Sequence, residues 1–367
     1  MRYIDEYRQK QSIRQLAGEI QRTATKPWRI MEICGGQTHA IMKYGLQQLL
    51  PESLELIHGP GCPVCVTSLE TMDLAISLAS RKDVIFCSFG DMLRVPGSSQ
   101  DLLAVKAAGG DIRTLYSPLH ALDVAEQNPD REVVLFAIGF ETTAPAHALT
   151  ACLARERGLA NFSILVSHFL VPPAIEAICA SPKSRIQAFL AAGHVCSITG
   201  YDNYHELSRS HCVPIVVTGF EPLDILDGIL ACVRQLEQGE HRVENRYARA
   251  VKAEGNPQAR ARLEEVFEIS AQTWRGVGPI PFSGLTLRPA FSALDARKRF
   301  SIESRPESDN SGCLSGAIMQ GLKKPHDCPH FGKRCRPEHP LGAPMVSSEG
   351  ACAAYYRYRK RSTADEY

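Results

Sequence analysis

The chain reads as an α/β protein: two doubly wound units of mainly parallel sheet with helices on both faces, followed by a small cysteine-rich C-terminal domain. Three observations predict this. Short apolar runs alternate with helix-length amphipathic runs from residue 28 to 238, the pattern of strands joined by crossover helices. Several apolar runs stop at Cys, Gly-Phe-Glu or Gly-Asp, as strands do where they hand over to a loop and helix. After about residue 240 the texture changes to charged and Gly/Pro-rich stretches, and four cysteines occupy the last 60 residues.

Residues 7–24 predict a polar helix in a leading segment, 1–27, that packs on the body. Residues 28–33 read as a strand with Cys34 at its end, 38–50 as a helix stopped by Pro51, and 54–58 as a short strand. That strand delivers the chain to Gly59-Pro60-Gly61-Cys62-Pro63-Val64-Cys65. A helix follows over 67–79, with Thr67-x-x-Glu70 as a capping box, and then a strand over 84–88 that ends in Phe89-Gly90-Asp91. The second unit has strands at 132–138, 162–168, 195–199 and 213–218, and helices at 145–157, 173–191 and 222–238. Its first strand runs into Gly139-Phe140-Glu141-Thr142-Thr143, which 215–221 echoes with Gly219-Phe220-Glu221. The expected divisions are 28–125, 126–235, and a third domain over 236–367. In the third, 239–270 is charged and helical and 274–290 is rich in Gly and Pro.

Composition bounds the function. With 41 basic and 40 acidic residues the net charge is +1, which favours neither nucleic acid nor an anionic membrane as partner. The first ten residues lack the apolar core of a signal peptide, and the most apolar stretch, 162–180, is interrupted by His168, Pro172, Pro173 and Glu176. A cytosolic protein is expected. Thirteen cysteines in a reducing compartment point to metal binding or redox chemistry rather than a disulfide scaffold. Cys87, Cys152, Cys179, Cys196, Cys212 and Cys232 lie in apolar runs and read as ordinary core residues.

The remaining seven are candidates for chemistry. In a doubly wound sheet, ligands bind outside the carboxyl ends of the strands, which is where Cys34, Cys62, Cys65, Asp91, Glu141 and Glu221 fall. Cys34 and Cys65 precede predicted helices, whose N-termini favour the thiolate, the form that attacks and ligates. His39 can ligate, move a proton or cap locally. Cys62 and Cys65 form a C-x2-C pair that suits a redox dithiol, a metal-binding pair or both in turn. The tail spacing Cys313-x14-Cys328-x6-Cys335-x16-Cys352 lacks the paired knuckles of a zinc ribbon; four thiolates there can hold zinc or an iron–sulfur cluster. A thiol–disulfide oxidoreductase with a structural zinc tail is therefore one reading of these residues. No dinucleotide-binding glycine fingerprint, Walker loop, zincin pair or C-x3-C-x2-C radical motif occurs.

Cys34-Gly-Gly-Gln-Thr-His39, Gly59-Pro-Gly-Cys-Pro-Val-Cys65, Gly139-Phe-Glu-Thr-Thr143 and the run from Met345 to Tyr356 together resemble the HypD-type [NiFe]-hydrogenase maturation factors, over residues 30 to 357. The resemblance implies two Rossmann-like domains and a third carrying a [4Fe–4S] cluster. It implies a scaffold for assembling the Fe(CN)2CO unit, with redox activity rather than conventional turnover. A HypC-type chaperone would share the iron and a HypE-type partner would deliver cyanide; the hydrogenase large subunit would be served indirectly. Carried over by motif, Cys34 is the iron-site thiol, Cys62 and Cys65 the redox pair, and Cys313, Cys328, Cys335 and Cys352 the cluster ligands. Some relatives have further cysteines where this chain has Ser315 and Pro344, so four thiols remain here for four irons. Glu141 and His39 are expected beside the iron site, Glu141 to hold a proton, orient His39 or cap a helix.

Overall fold

A computed structural model describes residues 4–302 and 312–358. Residues 1–3, 303–311 and 359–367, at the ends and within the expected leading and tail segments, lie outside the described residues. Eleven strands are described: β1 (Trp28–Glu32), β2 (Leu54–His58), β3 (Val84–Ser88), β4 (Asp111–Thr114), β5 (Glu132–Gly139), β6 (Phe162–Phe169), β7 (Ala188–Ala192), β8 (Ile215–Thr218), β9 (Val243–Asn245), β10 (Phe267–Trp274) and β11 (Gly278–Leu287). They form two sheets, a five-stranded one ordered β2-β1-β7-β8-β9 and a six-stranded one ordered β10-β11-β6-β5-β3-β4. Every pairing is parallel except β10 with β11 and β11 with β6. The α/β class with two parallel-dominated sheets is thus as the alternation predicts.

The sheets are not the consecutive blocks 28–125 and 126–235. β1, with β2 on its outer edge, pairs with β7 from beyond residue 187, whereas β3 and β4 join β5 and β6. The chain builds part of one sheet, crosses to the other, returns, and crosses again. A strand buried on both faces is a continuous apolar run and carries no mark of its neighbour. The expected third domain is also narrower: β10 and β11 form an antiparallel edge on the six-stranded sheet, and β9 closes the five-stranded one.

Local readings change as well, among them the helix expected over 173–191, which ends at Ala180 and is followed by β7. The expected strand over 195–199 is helix, Gly193–Thr199; the strand is the alanine-rich 188–192 that precedes it, where small residues hide strand character. The helix expected over 67–79 starts at Leu69, with Ser68 accepting from the Thr71 N–H at 3.1 Å, while the Thr67 hydroxyl donates to Pro63 O.

Alternation along the strands creates three cores. Met31, Phe189 and Val217 of one sheet share a core with Phe86, Phe136 and Leu165 of the other. Ile30, Leu190 and Val216 face the opposite way, towards the helices Lys10–Thr23 and Pro222–Gln238. Val133 and Leu135 face a third core with Ala148 and Cys152. The leading helix buries Ile13, Ala17 and Ile20, one stripe at helical spacing. Of the six cysteines read as core residues, Cys87, Cys152, Cys196 and Cys232 are buried, Cys179 is partly buried and Cys212 is exposed. Among the described residues no helix is long and apolar enough to cross a membrane.

Candidate functional site

Cys34 leaves β1 and stands just before the helix Gly35–Lys43. The loop after β2 is stitched to it: Gly59 N–H donates to Glu32 O at 2.8 Å and Gly35 N–H to Gly61 O at 2.9 Å. A Cβ on Gly61 would collide with the Cys34 backbone, so glycine is required for close approach of the two loops. Cys62 then opens the one-turn helix Pro63–Val66 and is joined to Cys65 by a disulfide, with Cα atoms 5.2 Å apart. The adjoining β1 and β2 ends therefore bring Cys34, Cys62 and Cys65 to one corner, all three buried.

The helix N-terminus does not activate Cys34 as expected. Burial pushes this thiol up, and the Glu32 and Glu349 carboxylates add to it, against the backbone N–H groups of Gln37 and Gly36. Deprotonation at Cys34 thus calls for a cation.

Two partners of this corner were not singled out from sequence. His194 Nδ1 lies 3.6 Å from Cys34 Sγ, and burial lowers the imidazole to about 4, which keeps it neutral and able to ligate. Assigning a strand to 195–199 hid it, because His194 follows the true strand β7 and sits at that strand's carboxyl end. Glu32 is fully buried and accepts from Cys34 N–H at 2.9 Å, from His58 Nδ1 at 2.6 Å and from the Thr38 hydroxyl. Its burial pushes the carboxyl up, opposed chiefly by His58. The signal available in sequence was a carboxylate two residues before Cys34, at the end of the strand.

Glu141 follows β5 at the seam between the sheets. Its Oε1 accepts from Val171 N–H at 2.8 Å, and burial lifts the carboxyl to about 7. Tyr204 and Cys196 approach it from the other sheet's helices, Asp202–His211 and Gly193–Thr199. Glu221 goes elsewhere: it caps the helix Pro222–Gln238 and pairs with Arg8 of the leading segment. Asp91 is exposed beside Arg94, at 3.4 Å. His39 turns to the tail, with Nδ1 3.2 Å from Ser348 O and Nε2 3.4 Å from the Tyr358 hydroxyl.

The tail lies directly against this corner. Glu349 packs so close to Gly35 that a Cβ there would clash with it. Arg94 donates to Pro337 O at 3.3 Å and to Val346 O at 2.9 Å. Tyr355, on the helix Ala351–Tyr358, sets its ring edge-on to His58 at 5.4 Å. Cys313, Cys328, Cys335 and Cys352 line one cavity with Leu314, Ile318, Phe331 and Met345. Burial raises Cys335 and Cys352, and the neighbouring tail thiols raise them further. Among the described residues no three His, Cys, Asp or Glu stand close enough to share one metal ion.

The family model HypD, described as the Hydrogenase formation hypA family, matches residues 11–359. The chain is 48% identical over 373 residues to the Hydrogenase maturation factor HypD of Azotobacter vinelandii, an alignment covering 99% of this chain and 98% of that one. It is 46% identical over 369 residues to the factor of the same name from Cupriavidus necator, covering 98% and 97%. With that of Escherichia coli (strain K12) the identity is 44% over 371 residues, covering 99% and 100%.

Proposed function

The chain belongs to the HypD family of hydrogenase maturation factors, and on that premise we propose that it is the scaffold and redox protein on which the Fe(CN)2CO unit of [NiFe]-hydrogenase is assembled. Iron is held at Cys34 jointly with a HypC-type small chaperone. Cyanide comes from a HypE-type partner as a thiocyanate-like adduct, and the finished unit passes towards the hydrogenase large subunit. Cys313, Cys328, Cys335 and Cys352 are the ligands of a [4Fe–4S] cluster, which when bound supplies electrons. In this role the chain is a maturation scaffold rather than a turnover enzyme.

The observation that supports this reading is the docking of the four-cysteine tail on the corner that holds Cys34 and the Cys62–Cys65 disulfide. Thiolate is a soft ligand suited to low-spin iron carrying cyanide and CO. Cys34 is buried, with a neutral imidazole at the sulfur. Opening the disulfide takes two electrons and two protons, and the dithiol so formed adjoins Cys34 through the Gly61 contact. Glu141, lifted to about 7, can hold a proton at the seam. His39 ties the Cys34 helix to the tail, through Ser348 and Tyr358.

Anaerobically purified protein should contain about four irons and four sulfides per chain. With its small partner it should show infrared bands of bound CO and cyanide. Cys34→Ala should abolish those bands and spare the cluster's visible absorbance; surviving bands would remove Cys34 from the iron site, and zinc without sulfide would remove the cluster from the tail.

A further inference from the structure

Glu141 and Tyr204 are buried at the seam between the two sheets, 3% and 1% exposed, with hydrogen-bonding capacity that is not used. Among the described residues, Glu141 Oε2 and the Tyr204 hydroxyl have no hydrogen-bond partner. Cys196, whose thiol is only a weak hydrogen-bonding group, neighbours the Tyr204 hydroxyl. The two groups come from different sheets. Glu141 follows β5, and Tyr204 lies in the helix Asp202–His211 beyond β7. Tyr204, Cys196 and Cys34 belong to one buried cluster, together with Phe140 beside Glu141.

Unpaired polar groups in a native interior are costly, and they recur where a ligand completes the pairing. Both groups are donors here. Burial keeps Tyr204 a phenol and lifts Glu141 to about 7, so a large share of the carboxyl is protonated near neutrality. A phenol beside a neutral carboxylic acid in an apolar site is a known way of binding developing negative charge. The titratable groups that act on Cys34, Cys196 and Tyr204 are acids and thiols, not lysine or arginine. Uncharged donors of this kind suit a weakly basic terminal nitrogen better than a phosphate or carboxylate.

We propose that Tyr204 and Glu141 form a two-donor hydrogen-bond site for the nitrogen end of a cyano group held at Cys34. This rests on the reading of Cys34 as the iron-site thiol. The two donors would position the cyano group and draw electron density towards its nitrogen, bridging the sheets as they do so. They are positioning residues: neither is required to bind iron.

The test has two arms. In the loaded complex with the small partner, a hydrogen bond to a metal cyanide's nitrogen lone pair raises the C≡N stretch. Tyr204→Phe should therefore lower a cyanide band while leaving the CO band nearly in place, and Glu141→Gln, which keeps an N–H donor, should move it less. In the full chain without the iron unit, thiocyanate serves as the infrared probe. Tyr204→Phe should weaken its binding about tenfold, the equivalent of one hydrogen bond. Cyanide bands that do not move, or equal thiocyanate affinity in wild type and Tyr204→Phe, would overturn the donor site alone. Absence of cyanide bands from the wild-type complex would overturn the iron-site reading instead.

Discussion

Replacing Glu141 by glutamine should remove a pH-dependent loss of stability that the native carboxyl imposes. The carboxyl is fully buried, and burial lifts it from an ordinary 4.5 to about 7. Above 4.5 the unfolded chain has released this proton while the native state keeps it. Stability therefore falls as pH rises from 4.5 to about 7 and is level beyond. The displacement corresponds to about 3 kcal/mol in all, of which roughly 2–3 kcal/mol falls between about pH 5 and about pH 8. For a chain of 367 residues the unfolding entropy is about 0.8 kcal/mol per degree, so the effect amounts to about 3 °C in Tm. Anaerobic thermal melts of wild type and Glu141→Gln at the two pH values measure it. The variant's own packing change is common to both pH values and cancels, as do other titrating groups. Tm of the variant relative to wild type should rise by about 3 °C from the lower pH to the higher. A difference that stays constant would mean that Glu141 is already charged in the fold, and would remove the neutral acid on which the cyano site depends.

Gly61→Ala should force the loop off the Cys34 backbone, at about 1–3 kcal/mol for overpacking, lowering Tm by about 1–4 °C and abolishing the cyanide and CO bands. Gly18→Ala, inside the leading helix with only the flexible Arg22 end nearby, is the control and should raise Tm by about 1 °C; a Gly61→Ala melt as stable as the control would refute the close-contact argument. Arg94→Ala removes two charge-assisted hydrogen bonds to tail carbonyls, which should raise the local opening of residues 337–346 about tenfold or more in amide exchange without altering the sheets. Unchanged exchange there would show that Arg94 does not fasten the tail.

Much of the site was legible because its chemistry is carried by short, dense motifs. Cys34 and the Cys62–Cys65 loop could be placed at strand ends from sequence, and β1 and β2 fall where the apolar runs put them. The Gly-Phe-Glu echo shows the limit of such reading. Both copies end a strand before a helix, yet Glu221 is consumed by capping and Arg8, whereas Glu141 is buried at the seam. Identical local sequence gave two different jobs because the surroundings come from distant segments. His194 and Tyr204 were missed for the same reason, each meeting Cys34 or its neighbours only across the fold, whereas Glu32, two residues before Cys34, was passed over inside a run read as an apolar strand.

By itself the sequence determined the α/β class, the strand-end cysteines and the cysteine-rich tail, because period, turn residues and thiol spacing are local properties of the chain. Only the tertiary structure decided that β1 and β2 share a sheet with β7, β8 and β9 across 130 residues, that the β10–β11 hairpin completes the other sheet, and that the tail docks on the Cys34 corner. Burial, too, was decided there. The helix N-terminus predicts an activated Cys34, and desolvation in the assembled core overrides it, because the cost of a buried charge depends on everything packed around it rather than on the residues beside it in the chain.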